Sequence, residues 1–333
     1  MEVIKALFTV VVGLGIFFAG LLVLYALVNL LPKRRQEGGR ILVFLLPAML
    51  VLLAGLVVPA IRTIYFSLLS DKQGHPFRGL GNFREILKDK NSRDSLINTF
   101  FWVLVGGPVA TIMGLTISRF ADGMRGESVA KAIIFMPRAL SLAGAGIIWK
   151  FVYDGPSQAG SVGLLNAVTK IIPGWPDKWG GDGKRLWLIE NAGRANTFLL
   201  IVILVWVETG FATVIFSAAI KGVPESLIEA AKVDGATNRQ AFFKVTVPYI
   251  RATIVTVLTL VTISALKVFD IVAATTGGNF KTSTLANDVY QTFFTQNRDG
   301  FGSALAVLLF LLVIPIVLIN QRSQRRTEEM MKA

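Results

Sequence analysis

Seven segments of this chain are apolar and long enough to cross a bilayer, and they constrain its fold more than any other feature. They cover about residues 6–31, 41–69, 97–118, 132–153, 196–220, 252–275 and 302–320. A crossing needs roughly 20 apolar residues at the rise of an α-helix. Inside hydrocarbon no water can satisfy a backbone N–H or C=O, so each segment must bond its own backbone, as helix. The pattern therefore predicts an all-α membrane protein with about seven transmembrane helices. Pro47, Pro59, Pro108, Pro137 and Pro315 fall inside the segments, which packed membrane helices tolerate where a water-soluble helix would not.

Composition agrees and excludes several chemistries. The chain is 53% hydrophobic over 333 residues, with 34 Lys+Arg against 21 Asp+Glu and a net charge of +13. Its basic residues sit in short loops between apolar spans. That placement fits membrane topology and anionic lipid head groups, and predicts membrane lipids rather than nucleic acid as the charged partner. The absence of cysteine rules out a disulfide, a thiolate nucleophile and a thiolate metal site. The one histidine, His75, lies in a polar loop and reads as solvated. No loop groups acids at metal-ligand spacing, so neither a metal site nor a membrane-embedded enzyme is expected. No GxxxxGK[ST] stretch occurs, so the energy for any transport comes from another chain or from an ion gradient.

Topology is less sharply written. The run from Ala6 to Leu31 is longer than a signal core and lacks a basic region before it, so it reads as a retained membrane helix. With 32–40, 119–131, 221–251 and 321–333 inside, the inner segments hold sixteen Lys/Arg and the outer ones fourteen. The inner segments are shorter in total, and long outer loops count little under the positive-inside rule. Residues 154–194 form a long connection rich in Gly, with Trp175, Trp179 and Trp187. These tryptophans read either as contacts for another protein or as an interfacial belt.

The loop at 221–251 carries the most specific signal. Glu229-Ala230-Ala231 is followed after three residues by Gly235, and after nine more by Val245-x-Val247-Pro248. Pro224 suits the first turn of a helix and Glu225 its positive end. Leu227, Ile228 and Ala231 give a small apolar face at helical spacing. Ala230 and Ala231 let another surface approach closely, and Asp234 precedes Gly235, which can end the helix with positive φ. A second helical stretch from about Asn238 to Val245 runs to Pro248. The predicted result is a helix–turn–helix platform at the membrane surface. A plain interfacial amphipathic helix is the bland alternative.

This spacing resembles the EAA loop of permease subunits of binding-protein-dependent ABC importers. Other stretches are similar to the sugar-type branch of that family: Gly79-Leu80-Gly81-Asn82-Phe83, Asn98-Thr99, Phe135-Met136-Pro137 with Ile148-Trp149, Phe269-Asp270 with Thr276-Gly277-Gly278 and Ser283-Thr284, and Phe301-Gly302-Ser303-Ala304. The combination is similar to the larger permease subunit of maltose and α-glucoside importers. The resemblance implies a type I importer core of six helices preceded by one accessory helix. It implies residues 1–40 as the accessory helix and a basic cytoplasmic linker, 41–320 as the transmembrane domain, and 321–333 as a basic cytoplasmic tail. It further implies a prokaryotic inner-membrane location and a cytoplasmic C-terminus. The implied partners are a second homologous permease, two copies of an ABC ATPase that bind the ATP and Mg, and an extracytoplasmic solute-binding protein. The chain itself would bind no cofactor and catalyse nothing. Glu229, Ala230, Ala231, Asp234, Gly235 and Pro248 would form the ATPase-coupling surface.

Charged groups inside spans are costly and usually face a bundle interior or cavity. Glu208 in the fifth span, and Lys267 and Asp270 in the sixth, are therefore candidates for a polar sugar path. Lys267 and Asp270, three apart, could instead pair and lock helix packing. Trp206, Phe211, Thr213 and Phe216 share the helix of Glu208 and could supply the aromatic faces and hydroxyls that sugars require, or could simply pack. The solute expected is maltose, trehalose or another α-glucoside. Glycerol phosphate or a different oligosaccharide is the nearest alternative. A gradient-driven secondary transporter is a more distant one, because no inverted repeat is visible.

Overall fold

A computed structural model of the chain describes residues 2–29, 33–155, 163–176, 181–190 and 194–332. The described residues are helical apart from their connections and an isolated bridge between Leu69 and Phe77. The chain forms two compact units, Met1–Tyr65 and Phe66–Ala333.

The first unit holds α1 (Glu2–Asn29), α2 (Lys33–Leu52) and most of α3 (Val58–Ser67). Tyr25 and Phe44 meet with ring centroids 6.1 Å apart, and Arg40 donates to Asn29 Oδ1 at 2.8 Å. Many large apolar side chains here, such as Phe18, Phe44 and Val51, are exposed. Lipid can cover such a surface at no cost.

The second unit runs through α4 (Gly81–Lys88), α5 (Lys90–Phe101), α6 (Gly107–Ala121), α7 (Glu127–Phe135), α8 (Leu142–Val152) and α9 (Leu164–Ile171). It continues through α10 (Ala195–Lys221), α11 (Glu225–Val233), α12 (Asn238–Ala241), α13 (Val247–Tyr249) and α14 (Arg251–Leu266). It ends with α15 (Asp270–Thr275), α16 (Leu285–Phe294) and α17 (Asp299–Lys332). α10 is central: Leu200, Leu204, Val207, Ala212 and Phe216 are all buried on it. Small residues let its neighbours come close. A Cβ at Gly114 of α6 would fall on Ala212, and one at Gly210 would fall on the Ile134 carbonyl of α7. Without a hydrophobic drive between helices in lipid, such close backbone approach is a principal source of association.

Prolines explain where the helices depart from α geometry. Turns of π-helix at Leu53–Val57, Trp102–Gly106 and Phe242–Thr246 each stand two residues before a proline: Pro59, Pro108 and Pro248. A proline ring clashes with the carbonyl four residues back and offers no N–H. Widening the preceding turn by one residue moves that carbonyl away and preserves the helix direction. Pro47 and Pro315 lie inside α2 and α17.

Two of the seven predicted spans are not single rods. The fourth is broken: α7 and the 3₁₀ turn Met136–Ala139 meet α8 at a bend of 100°. Pro137 and the Ser141 N-cap, whose Oγ accepts from Gly144 N at 3.0 Å, set that break. The sixth is entered through a 70° bend at Ile250 and ends at Leu266, after which the chain turns before α15. The helix of the last span, α17, continues through residues 321–332, because the sequence there contains strong helix formers and neither glycine nor proline.

Candidate functional site

The two ends of the second unit differ. At one end stand the 122–126 connection, the end of α10, and α11 with α12. At the other stand the starts of α5, α10 and α17 and the 276–284 loop.

The first end carries the platform. Pro224 is the N-cap of α11 rather than part of its first turn. The helix ends as the sequence foretells: Gly235 has φ +85°, its N–H donates to Lys232 O at 3.0 Å, and Ala236 N–H donates to Ala231 O at 2.9 Å. This paired closure is a Schellman motif, which satisfies carbonyls that would otherwise be orphaned. Thr237 and Gln240 then form a reciprocal capping box at the start of α12. The expected second helix is present and runs without a break from Asn238 through the π turn Phe242–Thr246 to Tyr249, with Pro248 in its last turn.

No residue of α11 is buried. Glu229, Ala230, Asp234, Gly235 and Pro248 are exposed, Ala231 is half-buried, and Val233 is 87% exposed. The apolar face of α11 is thus largely uncovered by the rest of the unit. A rigid base lies beside it. Lys131 of α7 bonds Asp122, Ser217 and Glu127, while Lys221 bonds Glu127. Ser217 Oγ donates to Asp122 Oδ1 at 2.7 Å. This network fixes the last turn of α10, three residues before the platform, to the start of α7.

The predicted pathway residues divide. Glu208 is buried and paired with Arg138, Nη1 to Oε1 at 2.6 Å. Arg138 also lies 4.8 Å from the centre of the Phe211 ring. Sequence reasoning missed Arg138, although an arginine beside a proline inside a predicted span is itself a signal. Trp206 stacks edge-on to Trp149 at 5.7 Å and lines an apolar cavity of about 630 Å³ with Val105, Met113 and Ile133. Thr213 and Phe216 are packed instead: both are fully buried, and the Thr213 hydroxyl donates to Thr209 O at 2.8 Å. Nor do Lys267 and Asp270 form the helix-locking pair. Among the described residues no ion pair joins them, and both are exposed on either side of the break between α14 and α15.

The far end explains the remaining motif residues. Asn82 is buried and donates to Ser67 O and Leu69 O at 2.9 and 2.7 Å. Asn98 donates to Lys281 O and Ser283 O at 2.7 and 2.8 Å, and Thr99 Oγ1 accepts from Leu285 N. Thr284 caps α16, and Phe269 meets Tyr290 with centroids 4.6 Å apart. Of the three loop tryptophans, Trp187 is neither a partner contact nor a belt residue: it is buried and donates to Asn166 Oδ1 at 2.9 Å. Trp175 is exposed, and Trp179 lies outside the described residues.

Among the described residues, five helices are long and apolar enough to cross a membrane, or up to seven if each bent pair is one crossing. The described residues form a polytopic helical bundle with a capped, uncovered helix–turn–helix at one end, and the pattern of a membrane transport component is matched over most of it. The chain belongs to the family of binding-protein-dependent transport system inner membrane components, whose pattern matches residues 87–329.

It is 43% identical over 286 residues to the alpha-glucoside transport system permease protein AglF of Rhizobium meliloti, covering 85% of this chain and 82% of that protein. It is 38% identical over 288 residues to the osmoprotective compounds uptake permease protein GgtC of Synechocystis, covering 86% and 99%. Its fold matches a chain of a bacterial alginate ABC transporter crystallised with an alginate pentasaccharide-bound periplasmic protein. That match has a TM-score of 0.71 and 20% identity, and covers 88% of this chain and 96% of that one.

Proposed function

We propose that this chain is the permease subunit of an ATP-driven importer for a neutral sugar, maltose, trehalose or another α-glucoside, coupled to its ATPase through residues 221–251. The carrying observation is the platform: α11 has no buried residue, yet it is capped at its C-terminus, and α10, which leads into it, is anchored through Ser217 and Lys221 to α7. A helix so held transmits a push rather than absorbing it. Closure of an ATPase dimer against Glu229, Ala230, Ala231, Asp234 and Gly235 would drive α10 and α7 together. The Arg138–Glu208 pair joins α10 to the 3₁₀ turn that follows α7 and would carry the movement into the bundle.

The α-glucoside reading is supported by the name and 43% identity of the Rhizobium relative. Uptake of an osmoprotective compound is the second reading, supported by the near-complete coverage of the Synechocystis relative. The partners would be a second homologous permease, two ATPase copies and an extracytoplasmic binding protein. A cytoplasmic C-terminus is supported by Gln324 Nε2, which donates to Thr256 Oγ1 of α14 at 3.2 Å in the half of that helix nearer the platform.

The test is reconstitution with those partners in proteoliposomes. ATP-dependent uptake of radiolabelled trehalose or maltose is expected. Uptake that proceeds without ATP, driven by an ion gradient, would refute the coupling.

A further inference from the structure

We propose that a polar cavity at the end of the second unit opposite the platform binds a neutral polyhydroxylated ligand of glycoside size. The cavity has a volume of about 610 Å³, within the roughly 300–1,000 Å³ of ordinary small-molecule sites. Its walls come from the start of α5, the 276–284 loop, α16 and the start of α17. It is separate from the apolar cavity beside Trp206.

The chemistry of the walls selects the ligand. Their charges are mostly committed within the protein. Asp288 accepts from Ser283 Oγ and Ser95 Oγ, each at 2.5 Å. Asp94 pairs with Arg194 at 2.6 Å, and Asp89 accepts from Ser92 N at 2.7 Å. Arg298 pairs with Asp71 and Glu85 at 2.9 and 2.7 Å. Among the described residues no group of carboxylates could hold a metal ion. Asp288 and Asp89, which accept only from neutral donors, can also accept from ligand hydroxyls, and an anion finds only the exposed Lys281.

The uncommitted groups are carboxamides. Asn287 is 1% exposed, and its Oδ1 has no hydrogen-bond partner, while its Nδ2 donates to Ser283 Oγ at 2.9 Å. Gln291 uses its Oε1 to accept from Thr295 and keeps its NH₂. Asn91 and Gln296 also line the space. A carboxamide both donates and accepts, as does a sugar hydroxyl, whereas an ion needs only one of the two. A buried acceptor without a partner is costly, and a ligand hydroxyl would satisfy it.

Backbone geometry points the same way. Gly277, Gly278, Phe280 and Lys281 all have positive φ, a conformation that side-chain-bearing residues resist. Asn98 and Asn196 hold it by donating to the carbonyls of Lys281 and Phe280. A Cβ at Gly278 would fall on Asn287 Nδ2, so the glycine lets Asn287 take its place in the cavity wall. Phe280 is 45% exposed and offers an apolar face of the kind sugar rings pack against.

This inference rests on the importer reading, and one set of preparations tests both. The complete importer in lipid nanodiscs is titrated with trehalose, maltose and glycerol 3-phosphate by calorimetry, and the same complex is assayed for uptake. Variants are Asn91→Ala/Gln291→Ala, which alters residues at the cavity's edge, and Asn287→Leu, with melting temperature as the check on folding.

The expected result is binding of a neutral sugar that weakens about tenfold in the double variant with melting unchanged. Unchanged sugar affinity in a folded double variant would overturn the cavity and leave the importer reading intact. ATP-driven uptake of glycerol 3-phosphate alone, with no sugar bound, would overturn both the cavity's ligand and the neutral-sugar part of the importer reading.

Discussion

Arg138 and Glu208 stand seventy positions apart in the sequence and meet at 2.6 Å inside the helical bundle. Arg138 occupies the 3₁₀ turn between α7 and α8, and Glu208 the middle of α10. The carboxylate is almost wholly buried, whereas the arginine side chain remains 36% exposed. The pair thus ties the break in one span to the central helix.

Removing the arginine strands a buried carboxylate. Breaking a buried pair costs about 3–5 kcal/mol, and partial exposure of Arg138 reduces this to about 2 kcal/mol. Arg138→Met should lower the melting temperature of the purified protein, and Arg138→Met/Glu208→Gln should recover most of the loss. Additive losses in that cycle would show that the two groups are not coupled.

Gly235 meets no atom within 4 Å where a Cβ would stand, so only its φ of +85° resists substitution. An ordinary L-residue pays roughly 1–2 kcal/mol in that region, and asparagine less. Gly235→Val should reduce ATP-driven uptake and co-purification of the ATPase more than Gly235→Asn does. Both should melt like the parent, because the platform is peripheral to the core. Equal uptake in the two variants would remove the cap from the coupling scheme.

Close approach of α6 and α10 rests on Gly114, where a Cβ would overlap Ala212. Gly114→Val should force the helices apart and cost about 1–3 kcal/mol or more. Gly20→Ala in α1, where nothing lies within 4 Å, should be neutral or slightly stabilising. Thermal unfolding in detergent distinguishes the two.

Glu85 should make stability sensitive to acid. Burial opposes its ionisation, but hydrogen bonds from Arg298 and Arg78 outweigh that and hold its carboxyl below the usual glutamate range. A lowered folded-state pKa gives stability that is present above the unfolded value, about 4.3, and lost as pH falls through the folded one. Melting curves between pH 6 and 3 should therefore show a smaller acid-dependent loss for Glu85→Gln than for the parent. Identical slopes would mean that these ion pairs do not form in solution.

Much of this molecule is legible along the chain. The helix cap at Gly235 follows from a local glycine requirement, and its Schellman bonds run between residues no more than five apart. Pro137 marks the bend in the fourth span, although its 100° angle depends also on the Ser141 cap. The family motifs show where polar residues are needed but not why. Only the tertiary fold brings Asn98 to the carbonyls of Lys281 and Ser283, because each bond joins residues more than 180 positions apart. Spacing also suggested that Lys267 could reach Asp270, and the helix end at Leu266 removes the shared face on which that reading relied.

What the chain fixes locally, it fixes through terms that a bilayer makes uniform. Apolar length forces helix because the backbone has no other partner, proline widens or breaks the turn before it, and glycine permits positive φ. Which helices become neighbours is a different matter. In lipid, an apolar side chain is as well accommodated by acyl chains as by another helix, so hydropathy does not distinguish the face of α10 that packs on Gly114 from a face that meets lipid. Shape fit at Gly114 and Gly210, together with the need of Glu208 for Arg138 and of Asp94 for Arg194, decides that arrangement. Those contacts join distant parts of the sequence and exist only once the bundle has closed.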